Sequence, residues 1–296
     1  MDILPQLLLN ALISGSIYAL ASSGLSLAFG ILRILNFAHG HLMMAGAYAF
    51  YYAHVMCGHD LFYSVLFTAG ATVILAAVSL QVFVLPFLRF SIFLPFVTTL
   101  ALSTMLESSV SMLFGVNVRS LTVGLEVQSM EFFGMYITPI QIVIIASAIA
   151  LLSLVALVIH NTSVGRKIRA LAEHDAAAQS LGVSARAVSF GVFIVGTLLA
   201  TYAGVLIGFE TNLQPTMGNA YTIKAFAAMI LGGLGNIWGT IAGAFILGLV
   251  ENLSIGLDFW GYSLPAGYKD AFAFMIILGV LLFKPDGLFR RATRTA

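Results

Sequence analysis

The chain has 296 residues, 60% of them hydrophobic and only 8% charged, with a formal net charge of +1 and a single cysteine. Soluble domains carry about 25% charged residues, so this much apolar surface, at a mean hydropathy of +1.03, needs lipid as its solvent. The near-neutral charge excludes nucleic acid as a partner, because no basic stripe exists to neutralise phosphates, and Cys57 alone excludes an internal disulfide framework or a multi-cysteine metal site.

The opening Met1-Asp2-Ile3-Leu4-Pro5 lacks a basic n-region, and the apolar stretch behind it outruns a signal-peptide h-region, so it is expected to stay as the first membrane helix. A spanning helix needs about 20 mostly apolar residues. Such stretches lie near 5–31, 38–57, 61–88, 92–114, 138–160, 187–209 and 267–284. An eighth, 222–255, is interrupted by Gly232-Gly233-Leu234-Gly235-Asn236. That interruption is either a tight hairpin between two short helices or a kink in one long helix; irregular backbone at membrane depth must be covered by protein or line a cavity. The fold class is an all-α integral membrane protein, a polytopic bundle of about eight transmembrane segments in a single domain over 1–296, one segment being Gly-interrupted or re-entrant.

Two segments lie outside the bilayer. The 115–137 loop, with Arg119, Glu126 and Glu131, is expected outside the cell. The 161–186 segment is the only sizeable hydrophilic stretch. Asn161, Thr162 or Ser163 can cap a helix there, the Ala-rich run to Ser180-Leu181 favours it, and Gly182 stops it. With the N-terminus outside, Arg33, Arg89, Arg166, Lys167, Arg169, Arg186, Lys284, Arg290, Arg291 and Arg294 fall inside. Those are ten of the 13 basic residues; Arg119, Lys224 and Lys269 fall outside or within the membrane. The positive-inside rule therefore gives N-out, C-in.

Small residues at four-residue spacing, Ala11-Gly15-Ala19-Ser23 and Gly235-Gly239-Gly243, mark close helix contacts, either within the chain or with a second subunit. Ionisable groups in membrane segments are costly and point to function. Glu107 lies beside Ser103, Thr104, Ser108 and Ser109, Glu251 precedes Asn252, and Arg33 and His39 flank Asn36. Either they hold pathway walls in register through buried pairs, or they reach interfacial water by snorkelling. His39-Gly40-His41 is no metal site, since its two imidazoles point to different helix faces, and His54, Cys57 and His59 lack a fourth ligand. No His-Glu-x-x-His, Gly-x-Ser-x-Gly or paired-carboxylate motif suggests an enzyme.

From the residues alone, Gly165–Gly182 reads equally as a solvated loop or as a docking surface, with small alanines and the basic Arg166, Lys167 and Arg169. The segment resembles the cytoplasmic coupling motif of permeases of branched-chain amino-acid ABC importers, the LivH type. Gly165, Arg166, Arg169, Ala170, Ala172, Asp175, Ala177, Ala178 and Gly182 match it, while Ala176 stands where that family usually has Glu. Gly15–Leu20, Arg33–Gly40, Pro215–Gly218, Lys224–Ala228, Leu231–Asn236 and Lys284–Phe289 resemble further signatures of the same family. The turn within 82–96 departs from it, keeping only Pro86 and Arg89.

The resemblance implies a permease subunit in the bacterial inner membrane, working with a related but different second permease chain, two cytoplasmic ATP-binding subunits and a periplasmic solute-binding protein. It implies that Gly165, Arg166, Arg169, Asp175, Ala177, Ala178 and Gly182 couple to the ATPase. Pathway candidates are Arg33, Asn36, His39, Glu107, Gly232, Gly233, Gly235, Asn236 and Glu251. No Gly-x-x-x-x-Gly-Lys-[Ser/Thr] loop occurs, so ATP is expected to be hydrolysed by partners and no cofactor held by this chain. The rival reading is a self-sufficient channel or secondary carrier for a small polar solute such as urea or an amide.

Overall fold

Prolines and short polar caps set where the helices begin. The computed structural model describes residues 3–91, 93–121, 129–132, 134–256, 269–284 and 287–289. In chain order its elements are α1 (Leu4–Leu32), α2 (His39–Tyr51), α3 (Leu61–Val78), α4 (Leu85–Leu88), α5 (Leu94–Phe114), β1 (Met130–Phe132), β2 (Met135–Ile137), α6 (Pro139–Asn161), α7 (Ser163–Glu173), α8 (Asp175–Ser180), α9 (Ala185–Glu210), α10 (Met217–Gly232), α11 (Ile237–Gly256) and α12 (Lys269–Phe283). π-helical turns extend α2 to Met56 and join α3 to α4. Pro5, Pro95 and Pro139 stand in the first turns of α1, α5 and α6, where a missing N–H costs nothing. Thr138 and Gln141 close a reciprocal capping box on α6.

Among the described residues, six helices are long and apolar enough to cross a membrane: Leu4–Leu32, Leu61–Leu88, Leu94–Phe114, Pro139–Asn161, Ala185–Glu210 and Ile237–Ser254. The chain is an all-α polytopic membrane protein. The remaining expected crossings are shorter among the described residues. The interrupted stretch 222–255 is two helices, α10 and α11, closed by a turn in which Gly233 and Gly235 adopt φ of 105° and 77°, a backbone that glycine enters without a Cβ penalty. Helix α10 begins at Met217, upstream of the expected start.

Helix α2 does not begin level with the end of α1. Its His39 Nε2 lies 2.9 Å from the carbonyl of Ala21, eleven residues before the α1 terminus. The connection Arg33–Ala38 therefore doubles back along α1. Arg33 makes that reversal with φ 52°, its N–H bonded to the Phe29 carbonyl at 2.9 Å. The N-terminus of α10 meets α2 at the same level, where Gly40 N donates to Thr222 Oγ1 at 3.0 Å. Two helix starts thus lie beside the middle of α1.

Helix α1 is the axis of the bundle: every residue from Gly15 to Ala28 is buried, as expected of a helix apolar on all sides. Lipid tails are as apolar as leucine, so helix association here depends on close packing and interhelical hydrogen bonds. Gly24 of α1 and Gly196 of α9 touch backbone to backbone, as do Gly232 of α10 and Gly239 of α11. Gly248 of α11 likewise sits on Gly15 and Ala11 of α1. The small-residue rows are thus occupied inside the chain, except that Gly235 lies in the turn, against Gly30, and not on α11. Hydroxyls bridge the same contacts: Thr240 donates to Ser26 at 3.0 Å and Thr72 to Thr201 at 3.2 Å. Peripheral α3, α5 and α6 instead expose large apolar side chains such as Phe62, Met112 and Leu157.

The bundle has two distinct ends. At one, Gln6 of α1 exchanges two hydrogen bonds with Tyr136 of the β1–β2 hairpin, and Arg119 pairs with Leu213 through both backbone groups. At the other, Arg33, the 233–236 turn, residues 287–289 and helices α7 and α8 come together. Glu126, the tail arginines Arg290, Arg291 and Arg294, and Pro285-Asp286 of the last signature lie outside the described residues.

Candidate functional site

The 161–186 segment folds as two helices, not the one expected. Thr162 caps α7 by accepting from Gly165 N at 3.1 Å, and the chain breaks at His174, whose backbone is extended (φ −150°, ψ 93°). Asp175 then opens α8, where its charge complements the helix dipole. Gly182 ends the segment with φ 84°, the stop read in the sequence.

Contacts hold this arm to the bundle on one side only. A Cβ at Gly165 would overlap the carbonyls of Val158 and Ile159, so only glycine allows α7 to fold back on α6. Arg169 donates to the Ile159 carbonyl through Nη1. Arg33, at the end of α1, reaches the Ala172 carbonyl at 3.4 Å. Leu171 and Ala178 point inward and are buried, while Arg166, Lys167, Asp175, Ala177 and Leu181 face away from the bundle. Leu181 is 86% exposed, a large apolar side chain that no described residue covers. Behind α7 lies a cavity of about 320 Å³ between α1, α6 and α11.

The polar residues of the membrane region form two clusters. In the first, Lys224 of α10 stands 3.2 Å from Glu251 Oε1 of α11 and 2.9 Å from Asp270 Oδ1 of α12. Lys224 also lies 3.0 Å from the Tyr18 hydroxyl, which donates to Glu251 Oε2 at 2.7 Å. Side-chain exposure is 1% at Glu251 and 11% at Lys224, so the pair is desolvated. In the second, Glu107 of α5 meets His41 Nε2 of α2 at 3.2 Å and Asn219 Nδ2 of α10 at 3.0 Å, both on Oε2. Four helices are tied at the first cluster and three at the second.

The sequence candidates do not all converge. Glu107 and Glu251 fall in separate clusters; Arg33 touches the arm; Asn36 Oδ1 accepts from Ala38 N at 3.0 Å and shapes the reversal before α2. His39 anchors α2 to α1. Gly232, Gly233, Gly235 and Asn236 form the hairpin turn, where Asn236 donates to the Phe289 carbonyl at 2.7 Å. In the sequence His41 and Tyr18 carry no sign of a carboxylate partner, Asn219 and Asp270 are not among the candidates, and Lys224 stands without a partner. Its signal was legible: a lysine inside an apolar stretch must find a carboxylate.

Over residues 7–281 the chain matches the family described as branched-chain amino acid transport system / permease component. It is 33% identical to the high-affinity branched-chain amino acid transport system permease protein LivH of Salmonella typhimurium, across 97% of this chain and 95% of that protein. It is 30% identical to BraD, a permease protein of the same description in Pseudomonas aeruginosa, with the same coverage. A shorter likeness, 33% over 45% of this chain and 38% of the relative, joins it to the autoinducer 2 import system permease protein LsrC of Yersinia pseudotuberculosis. No solved structure matches it. The chain therefore belongs to the family of branched-chain amino acid transport system permease components.

Proposed function

We propose that this chain is the membrane-spanning subunit of an ATP-driven importer that moves branched-chain amino acids, or small solutes like them, delivered by a periplasmic binding protein. It works beside a related but different permease chain and above two cytoplasmic ATP-binding subunits, with its N-terminus outside and its C-terminus in the cytosol. The observation that carries this reading is kinship with LivH and BraD over almost the whole length. The arm α7–α8 supports it, being held to α1 and α6 by Arg33, Gly165 and Arg169 while no described residue covers its outer face.

Coupling follows from that construction. A motor that binds Arg166, Asp175, Ala177 and Leu181 differently in its two nucleotide states shifts the balance between two arrangements of the bundle. Arg33 and Arg169 pass the displacement to α1 and α6. The cavity behind α7 gives the arm room to move. Glu107 and Glu251 belong to the wall and frame of the pathway, respectively.

Reconstitution of the full complex in proteoliposomes tests the proposal. ATP-driven uptake of radiolabelled leucine is expected with the unmodified chain, and its loss, with normal membrane insertion, in Ala177→Trp and Gly182→Val. Uptake that persists without the ATP-binding subunits would establish a self-sufficient carrier instead.

A further inference from the structure

Helix α5 carries a polar row on a side of the bundle that no described residue covers. Thr104 and Ser108 are exposed, Glu107 and Ser111 half-buried, and their spacing gathers them on one helix face. Exposed side chains on the same two helices include the apolar Leu100, Met105 and Met112 of α5 and Ile223 of α10, beside the polar Ser109 and Asn219. A carboxylate at membrane depth is costly unless water or a partner meets it, so a polar row centred on one does not face lipid.

Glu107 is fixed in place. Its Oε2 is held from α2 by His41, which is itself buried, and from α10 by Asn219. Its Oε1 carries no hydrogen bond among the described residues, and the side chain keeps 28% exposure. Lys224, the described lysine nearest in sequence to Asn219, is engaged with Glu251 and Asp270. One oxygen is thus locked and the other left without a hydrogen bond, on a helix face that carries hydroxyls and with no competing cation among the described residues. That geometry suits a compact cation with several N–H donors, and a locked first contact is what gives a site selectivity.

We propose that Glu107, positioned by His41 and Asn219, receives the ammonium group of the transported amino acid midway through the membrane, on the wall of a water-filled passage whose other wall is the second permease chain. This rests on the proposed function and adds the substrate group that the pathway reads: solutes with a free amine are held, and neutral ones such as urea are not.

The test uses the reconstituted complex with Cys57→Ser and Ser108→Cys. A cationic aminoethyl methanethiosulfonate is expected to modify position 108 at least about tenfold faster than the anionic sulfonatoethyl reagent, as a fixed negative charge within a few ångströms dictates. Glu107→Gln should erase that preference and lower leucine uptake at least about tenfold, with Glu107→Asp retaining part of both. An unreactive position 108, or equal rates for the two reagents, overturns the inference without needing a variant of Glu107. So does unchanged uptake in Glu107→Gln. If the unmodified complex takes up no leucine, the proposed function falls first and this inference with it.

Discussion

Two carboxylates inside the membrane region, Glu107 and Glu251, meet different fates because their partners differ. Glu251 is closed off by Lys224 and Tyr18, and Lys224 in turn holds Asp270 at the start of α12. Removing one member of a buried charge pair strands the other, at a cost of about 3–5 kcal/mol. Lys224→Met is therefore expected to lower stability by that order, since it leaves Glu251 and Asp270 facing each other. Adding Glu251→Gln should restore part of the loss, and a double-mutant cycle of denaturation in detergent measures the coupling, about 0.5–3 kcal/mol for residues in contact. A purely additive cycle would remove the pair from the account. At this scale the sequence was half legible. An intramembrane carboxylate announces that it needs a partner, but Lys224 lies 27 positions from Glu251, and only the folding back of α11 on α10 brings them together. Asn219 and His41 carried no such announcement, because neutral polar side chains enter membrane helices at modest cost.

Elements are held at crossings where two glycines meet. Gly24 and Gly196 leave no space for a Cβ, so Gly24→Ala forces α1 and α9 apart, an overpacking cost of about 1–3 kcal/mol. Gly191, on the same helix α9, has open space around it, and Gly191→Ala is expected to be neutral or stabilising by up to about 1 kcal/mol through helix propensity. Thermal unfolding of the two variants side by side reads the contrast; equal effects would mean that the crossing is looser than drawn. Most elements could be read from apolar run length and from caps, as with Thr162, Thr138 and the prolines. Two could not. The Gly232–Asn236 interruption left hairpin and kink open, since glycines permit both and tertiary packing of Gly232 on Gly239 decides. The break at His174 had no strong breaker to announce it, Ala-rich sequence lying on either side.

For the whole molecule, composition alone points to lipid as the solvent, and the described residues bear that out in six spans of sufficient length. What hydropathy cannot show is that α2 and α10 begin beside the middle of α1, for a window average registers apolar content and not depth. The consequence is a bundle with polar starts of helices at its centre and the α7–α8 arm at one end. In the proposed importer α7–α8 stands in the cytosol as the handle by which a separate motor moves the membrane helices. Labelling Lys167→Cys in a Cys57→Ser background with a membrane-impermeant maleimide tests this most directly. Intact spheroplasts should leave position 167 unlabelled, and inverted vesicles should label it, with the ATP-binding subunits giving protection when bound. Labelling in intact spheroplasts would put the arm on the outer face and contradict the account.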